Sequence, residues 1–186
     1  MQQPPAPLAT IWITGLPASG KSTLSEALER ALRQRGYDCS VLDGEIVRQR
    51  TGYRYGHSLA DRFTVLLEIV AAAIEERSRG RIPIVATISH KRTMRALARQ
   101  NLAPMLEVFL SCQPSVCAAR DRKGHYQRAY AGEYDCFVGV TEPYERWNTA
   151  DLVIDTGRCG VAEASARLLA ASLAFLGRQT RRRPGQ

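Results

Sequence analysis

Apolar positions in this chain switch repeatedly between a strand-like and a helix-like spacing. The run Ile11-Trp12-Ile13 has the length of a short buried strand, placed at 10–14. Behind it, Leu24, Ala27, Leu28, Ala31 and Leu32 recur on one helical face, and Gly36 stops that helix at about 35. A second strand, Cys39-Ser40-Val41-Leu42, ends at Asp43-Gly44-Glu45. Residues 46–60 lack a sustained period and predict a short helix and a loop. Phe63, Leu66, Leu67, Val70 and Ile74 then share a face, so 61–79 reads as a helix ended by Gly80. The β-branched run at 82–88 predicts a third buried strand, followed by a helix at 92–100 and a strand at 105–110. Pro114 opens a helix to 120, and a strand at 152–154 and a helix at 161–176 close the pattern. Between them, 121–147 is polar and rich in Gly and Tyr, the composition of a mobile lid. Strands alternating with helices imply an α/β fold, a doubly wound parallel sheet covered on both faces.

Chemistry enters at the first strand-to-helix junction. Gly15-Leu16-Pro17-Ala18-Ser19-Gly20-Lys21-Ser22 fits Gly-x-x-x-x-Gly-Lys-Ser/Thr, the phosphate-binding loop, between the strand and the helix it requires. Backbone amides of such a loop curl around a phosphate, and the helix start adds its positive dipole end. Gly15, Ala18, Ser19, Gly20, Lys21, Ser22 and Thr23 are therefore the expected ATP-binding set. Lys21 reaches toward the β/γ-phosphates and the Ser22 hydroxyl toward Mg²⁺. Asp43 and Glu45, directly after strand 2, fall on the same carboxyl edge of the sheet. Carboxylates there hold Mg²⁺ or accept the proton of an attacking hydroxyl, and either residue could serve.

Two absences narrow the class. The strand at 82–88 carries no acidic residue after it, and no Asn-Lys-x-Asp occurs, which weighs against motor, switch and GTPase readings. A small-molecule kinase needs only the loop, the metal, an acceptor pocket and a lid. The stretch 120–128 packs Arg120, Arg122, Lys123 and Arg128 into one segment, cations suited to transferring phosphoryl charge.

Composition adds bounds. The length of 186 residues and 45% apolar content suit one domain, read as 10–177, between a disordered leader at 1–9 and a basic disordered tail at 178–186. No apolar run approaches the roughly 20 residues of a membrane span. Five scattered cysteines without a Cys-x-x-Cys pair fit free thiols in a reducing cytoplasm. The net charge of +8 is carried mostly by arginine, with Arg178, Arg181, Arg182 and Arg183 near the end. That tail reads as a solvated end rather than a nucleic-acid arm, and the remaining excess suits anionic small molecules.

Several motifs in order resemble the adenylyl-sulfate kinase (APS kinase) family. They are the loop at 15–22, Leu-Asp-Gly-Glu-Ile-Val-Arg at 42–48, Asp61-Arg62, Arg120-Asp-x-Lys-Gly-x-Tyr at 120–126, Ala-Gly-Glu at 131–133, Phe137-x-Gly139, Tyr144-Glu145 and Asp155-Thr156-Gly157. The resemblance implies a P-loop kinase fold and transfer of the ATP γ-phosphoryl group to the ribose 3′-hydroxyl of adenylyl sulfate. It implies a substrate and metal contact at Asp43, anion grips at Arg48 and Arg62, further acceptor contacts at Ile88, Ser89 and Lys123, a stacking Phe137 and an adenine-side Arg120. A homodimer is implied as well.

The departures cluster on the acceptor side. Glu45 stands for a second Asp and His57 for a Phe, while Val65, Leu67 and Glu68 replace an Asn and an Arg pair. Thr87-Ile88-Ser89-His90 stands for Phe-Ile-Ser-Pro. They motivate one alternative, a kinase for a different nucleotide conjugate such as a cytidine diphosphate derivative. A non-catalytic nucleotide-binding module is a second alternative. His57 and His90 are candidate acceptor contacts, and Tyr53, Tyr55, Tyr130 and Trp147 could add stacking surface.

Overall fold

The computed structural model describes residues 9–50, 56–145 and 150–181. Five strands form one parallel sheet in the order β2-β3-β1-β4-β5: β1 (Thr10–Gly15), β2 (Cys39–Asp43), β3 (Ile82–Thr87), β4 (Met105–Ser111) and β5 (Leu152–Asp155). The helices are α1 (Lys21–Arg33), α2 (Gly44–Arg50), α3 (Leu59–Ser78), α4 (Arg92–Leu102), α5 (Pro114–Arg120), α6 (His125–Tyr130) and α7 (Val161–Arg181). This is the α/β architecture that the alternating periods predict.

Side chains on neighbouring strand positions point to opposite faces, and β1 shows what that does to the core. Ile11 and Ile13 pack on one face with Leu24, Leu28 and Leu32 of α1 and Leu168, Phe175 and Leu176 of α7. Trp12 points the other way, among Leu66, Ile69 and Val70 of α3 and Met94 and Ala98 of α4. β1 therefore lies between two apolar layers, and all six of its residues are buried. With β3 on one side and β4 on the other, the chain leaves β1 at the switch point of the sheet, where a crevice opens at the carboxyl edge.

Three expectations need correction. Residues 125–130 inside the expected lid fold as α6, because Gly124 adopts a left-handed conformation and the Asp121 carboxylate accepts the Tyr126 amide, starting a helical turn. The closing helix runs to Arg181, its last buried residues being Phe175 and Leu176, with Thr180 Oγ1 and Arg181 Nε donating back to the Leu176 and Gly177 carbonyls in the final turn; residues 178–181 are helical and 182–186 lie outside the described residues. Ala9, placed in the leader, is fully buried in the α1/α7 layer, while 1–8 lie outside the described residues. No helix among the described residues is long and apolar enough to cross a membrane.

Candidate active site

The loop after β1 is shaped by two glycines. A β-carbon at Gly15 would meet the Leu110 carbonyl oxygen and Ser19 Oγ, each at 2.8 Å, so only glycine lets the loop lie this close to β4. Gly20 caps α1 with φ 97°, a left-handed backbone that glycine adopts without steric cost. The first-turn amides of α1, at Lys21, Ser22 and Thr23, have no helical carbonyl to bond and face out of the helix start. Ala18 is itself left-handed, at φ 56°. The buried Thr156 hydroxyl donates to the Ser19 carbonyl at 2.9 Å and braces the loop from the end of β5.

Lys21 folds back over this loop, its ammonium donating to the carbonyls of Leu16 at 2.6 Å and Gly15 at 3.1 Å. Burial lowers its pKa to about 8, against the opposing pull of the nearby Asp43 charge. Next to it, Ser22 Oγ donates to Asp43 Oδ2 at 2.6 Å, and Asp43 Oδ1 accepts the Glu45 amide at 2.8 Å. The tip of β2 and the start of α1 thus form one cluster. A hydroxyl and a carboxylate oxygen side by side are a hard-oxygen pair suited to Mg²⁺, which takes few protein ligands beside phosphate and water. The residues fit that ion. Lys123 Nζ reaches Glu45 Oε1 at 3.9 Å across the opening; both side chains are largely exposed, so the contact itself is weak.

On the side where the acceptor is expected, Arg62 of α3 donates to the carbonyls of His57 at 2.9 Å and Cys136 at 3.0 Å. Arg48 of α2 donates to the Gly56 carbonyl at 2.7 Å. Much of His57 is exposed, yet partial burial of its ring, with the charges of Arg48 and Arg62, holds its pKa below the usual imidazole value. Phe137 stacks on Tyr134 with centroids 5.8 Å apart and meets Tyr126 edge-on at 4.9 Å, forming an aromatic wall. Ile88 packs in the same small cluster as Leu16 and Phe137. Ser89 is buried in a left-handed conformation, φ 41°, with its hydroxyl unpartnered among the described residues.

Arg120 donates to the Thr156 carbonyl at 2.8 Å, at the loop side of the crevice. Contacts thus tie the loop to the β2 tip, Lys123 to Glu45, Arg120 to the turn after β5, and Arg62 to the segment before Phe137, around the crevice at the carboxyl edge. Two of the sequence departures do not belong to its lining. Val65 is buried in the Trp12 layer, and His90 is 1% exposed with its ring against Glu142 rather than the crevice. Leu67 is an exposed position on α3. Tyr130 is 60% exposed, while Tyr53, Tyr55 and Trp147 lie outside the described residues.

Sequence reasoning gave no role to several groups that hold the crevice together. Arg95 of α4 is fully buried and donates to the carbonyls of Ser89 and Glu145, each at 2.6 Å, with its Nε 3.6 Å from the buried Glu107 of β4. Arg99 bridges Glu107 at 3.0 Å and Asp151 at 2.8 Å. Tyr144 shares a hydrogen bond with Thr14 at 2.8 Å, at the end of β1. The signal available in the sequence was Glu107 within the apolar strand Met105–Ser111, since an ion in a buried strand needs a partner.

The adenylylsulphate kinase family model matches residues 8–155. An adenylyl-sulfate kinase of Paraburkholderia xenovorans is 40% identical over 163 residues, covering 87% of this chain and 91% of that one. The structure of the Mycobacterium tuberculosis APS kinase in complex with AMPPNP and APS superposes with a TM-score of 0.85 at 33% identity, covering 91% of this chain and 99% of that chain. A hexameric APS kinase from Thiobacillus denitrificans, 26% identical, matches with a TM-score of 0.66 over 89% of this chain and 29% of its own. A phosphate-binding loop joined to an acidic strand tip agrees with these matches: the chain belongs to the adenylylsulphate kinase family.

Proposed function

We propose that this protein transfers the γ-phosphoryl group of ATP to the ribose 3′-hydroxyl of adenylyl sulfate, giving 3′-phosphoadenylyl sulfate. The observation that carries this reading is the 2.6 Å contact between Ser22 and Asp43, which joins the phosphate-binding loop to the acidic strand tip. The loop amides and Lys21 hold the triphosphate, and Ser22 with Asp43 holds Mg²⁺. That ion, when bound, neutralises phosphate charge. Asp43 or Glu45 orients the acceptor hydroxyl and takes its proton. Arg48 and Arg62 hold the acceptor's anionic groups, Phe137 stacks on its base, and Arg120 lies on the adenine side of ATP. Approach of 121–145 with Lys123 excludes water from the transfer.

The test is phosphate transfer from labelled ATP to adenylyl sulfate beside a panel of other activated nucleotides. Efficient labelling of adenylyl sulfate is expected. No transfer to it, with turnover of a cytidine diphosphate derivative, would overturn the named acceptor. One observation favours keeping that alternative in the panel: a His57 that stays neutral at pH 7, set between two arginines, is a different neighbour for a base than an apolar ring.

A cytoplasmic homodimer belongs to the same reading. Leu59, Leu67 and Ile74 of α3, with Ile46 of α2, leave apolar surface exposed that a second copy could cover. Light scattering after gel filtration should give twice the chain mass of 20.6 kDa, and a monomer mass at micromolar concentration would refute the dimer.

A further inference from the structure

The segment 137–145, which begins at the aromatic wall, is pinned to the loop after β3 at several points. Glu142 Oε1 lies 3.0 Å from His90 Nε2 and 3.1 Å from Lys91 Nζ. Three residues on, the Glu145 amide donates to the His90 carbonyl at 2.9 Å, and its carboxylate accepts the Arg92 amide at 2.8 Å. Toward the other end, one tight turn connects Glu142 to Phe137. The Phe137 carbonyl accepts the amides of Val140, Thr141 and Glu142, and its own amide donates to Thr141 Oγ1 at 2.7 Å. Displacing the Glu142 side chain therefore displaces the turn that carries the Phe137 ring.

We propose that His90 and Glu142 act as a positioning pair: their buried contact fixes the 137–145 segment and so sets how closely Phe137 approaches the acceptor. The inference rests on Phe137 being the acceptor's aromatic wall, as in the function proposed above. Neither residue touches the reacting groups.

The electrostatics agree with this geometry. Three charged groups face His90: Glu142 from the segment, Arg62 from α3 and Lys91 from its own loop. Burial lowers the His90 pKa, Arg62 and Lys91 lower it further, and Glu142 opposes them without prevailing. Burial pushes Glu142 up, but its bonds to His90 and Lys91 outweigh that and keep it below the ordinary carboxylate value. At pH 7 the pair is thus a neutral imidazole against a carboxylate. Neither His90 ring nitrogen makes a directed hydrogen bond among the described residues, Nε2 meeting Glu142 by proximity alone, so an imidazolium here would also bury an unpaired N–H at Nδ1. A released segment would return His90 to water and to an ordinary pKa near 6.5. Protonation is then easier in the released form, and acid favours release.

The test compares wild type, His90→Gln, Glu142→Gln and the double variant, using the activated nucleotide that the wild type phosphorylates. Each single change should raise the acceptor KM about tenfold, the scale of one close polar contact with a charged group, with the ATP KM and kcat within about threefold. The double variant should be no worse than Glu142→Gln, which already removes the His90 contact together with the Lys91 one. As pH falls below about 6.5, the wild-type acceptor KM should rise more steeply than that of His90→Gln; both retain His57, so the difference reports His90. Chymotrypsin should cleave the segment faster in the variants in the absence of acceptor. Additive effects, an equal rise in both KM values, or an unchanged acceptor KM overturn the proposal; faster cleavage with an unchanged acceptor KM overturns its link to Phe137. Loss of folding in Glu142→Gln, read by circular dichroism, leaves His90→Gln to decide. A wild type that phosphorylates no nucleotide sinks the kinase reading first, and this proposal with it.

Discussion

Lys21→Ala is expected to lower kcat/KM for phosphoryl transfer by about 10³-fold, the scale of removing one preorganised charge stabiliser from a transition state. The ammonium is tied to the Leu16 and Gly15 carbonyls inside the loop, so the side chain is ordered before phosphate arrives. Holding it there is costly to the free protein, because burial lowers its pKa to about 8. A triphosphate supplies the opposite charge and offsets that cost. The sign for pH follows. In the free protein the charged form is lost as pH rises through about 8, so ATP affinity should weaken above that value. In Lys21→Ala this alkaline limb should disappear. Steady-state rates and ATP titrations between pH 7 and 9.5, with circular dichroism to confirm folding, check both parts. A variant within tenfold of wild type would refute the role given to Lys21.

Asp43→Ala should cut kcat by about 10²–10⁴-fold, combining lost general-base help with lost metal positioning, while ATP binding changes far less. Both carboxylate oxygens are engaged, one by Ser22 Oγ and one by the Glu45 amide, so the group is fixed in orientation beside the loop. Asp43→Asn keeps that shape and removes the charge. If charge is what matters, it should fall nearly as far as Asp43→Ala. Glu45→Ala offers the internal comparison. Glu45 is exposed, its one ion pair among the described residues being the weak Lys123 contact, and a smaller loss is expected there. Normal turnover in Asp43→Ala, or a larger loss in Glu45→Ala, would move the base assignment away from Asp43.

Much of the site was legible because its parts are local. The loop at 15–22 carries its own geometry in Gly15 and Gly20, and the strand before it and helix after it are written in the adjacent apolar spacing. Asp43 could be placed near it from topology alone, since the carboxyl ends of strands in a parallel sheet share one edge. The residues expected toward the acceptor could be chosen from the sequence by type, but their directions could not. Val65 and His90 illustrate this: both stand at positions where the chain departs from the family pattern, yet one packs under Trp12 and the other against Glu142.

What the sequence alone determined is the class of chemistry and the layered fold, because helix and strand periods, glycine positions and a contiguous motif are set by neighbours a few residues apart. What only the tertiary structure decided is which charges meet. Arg95 with Glu145, His90 with Glu142 and Thr14 with Tyr144 join residues 50, 52 and 130 positions apart, and nothing in the local pattern selects those partners. Their pairing follows from burial: once the sheet and helices close over them, each polar group must find a partner inside the protein or carry the cost of lost hydration.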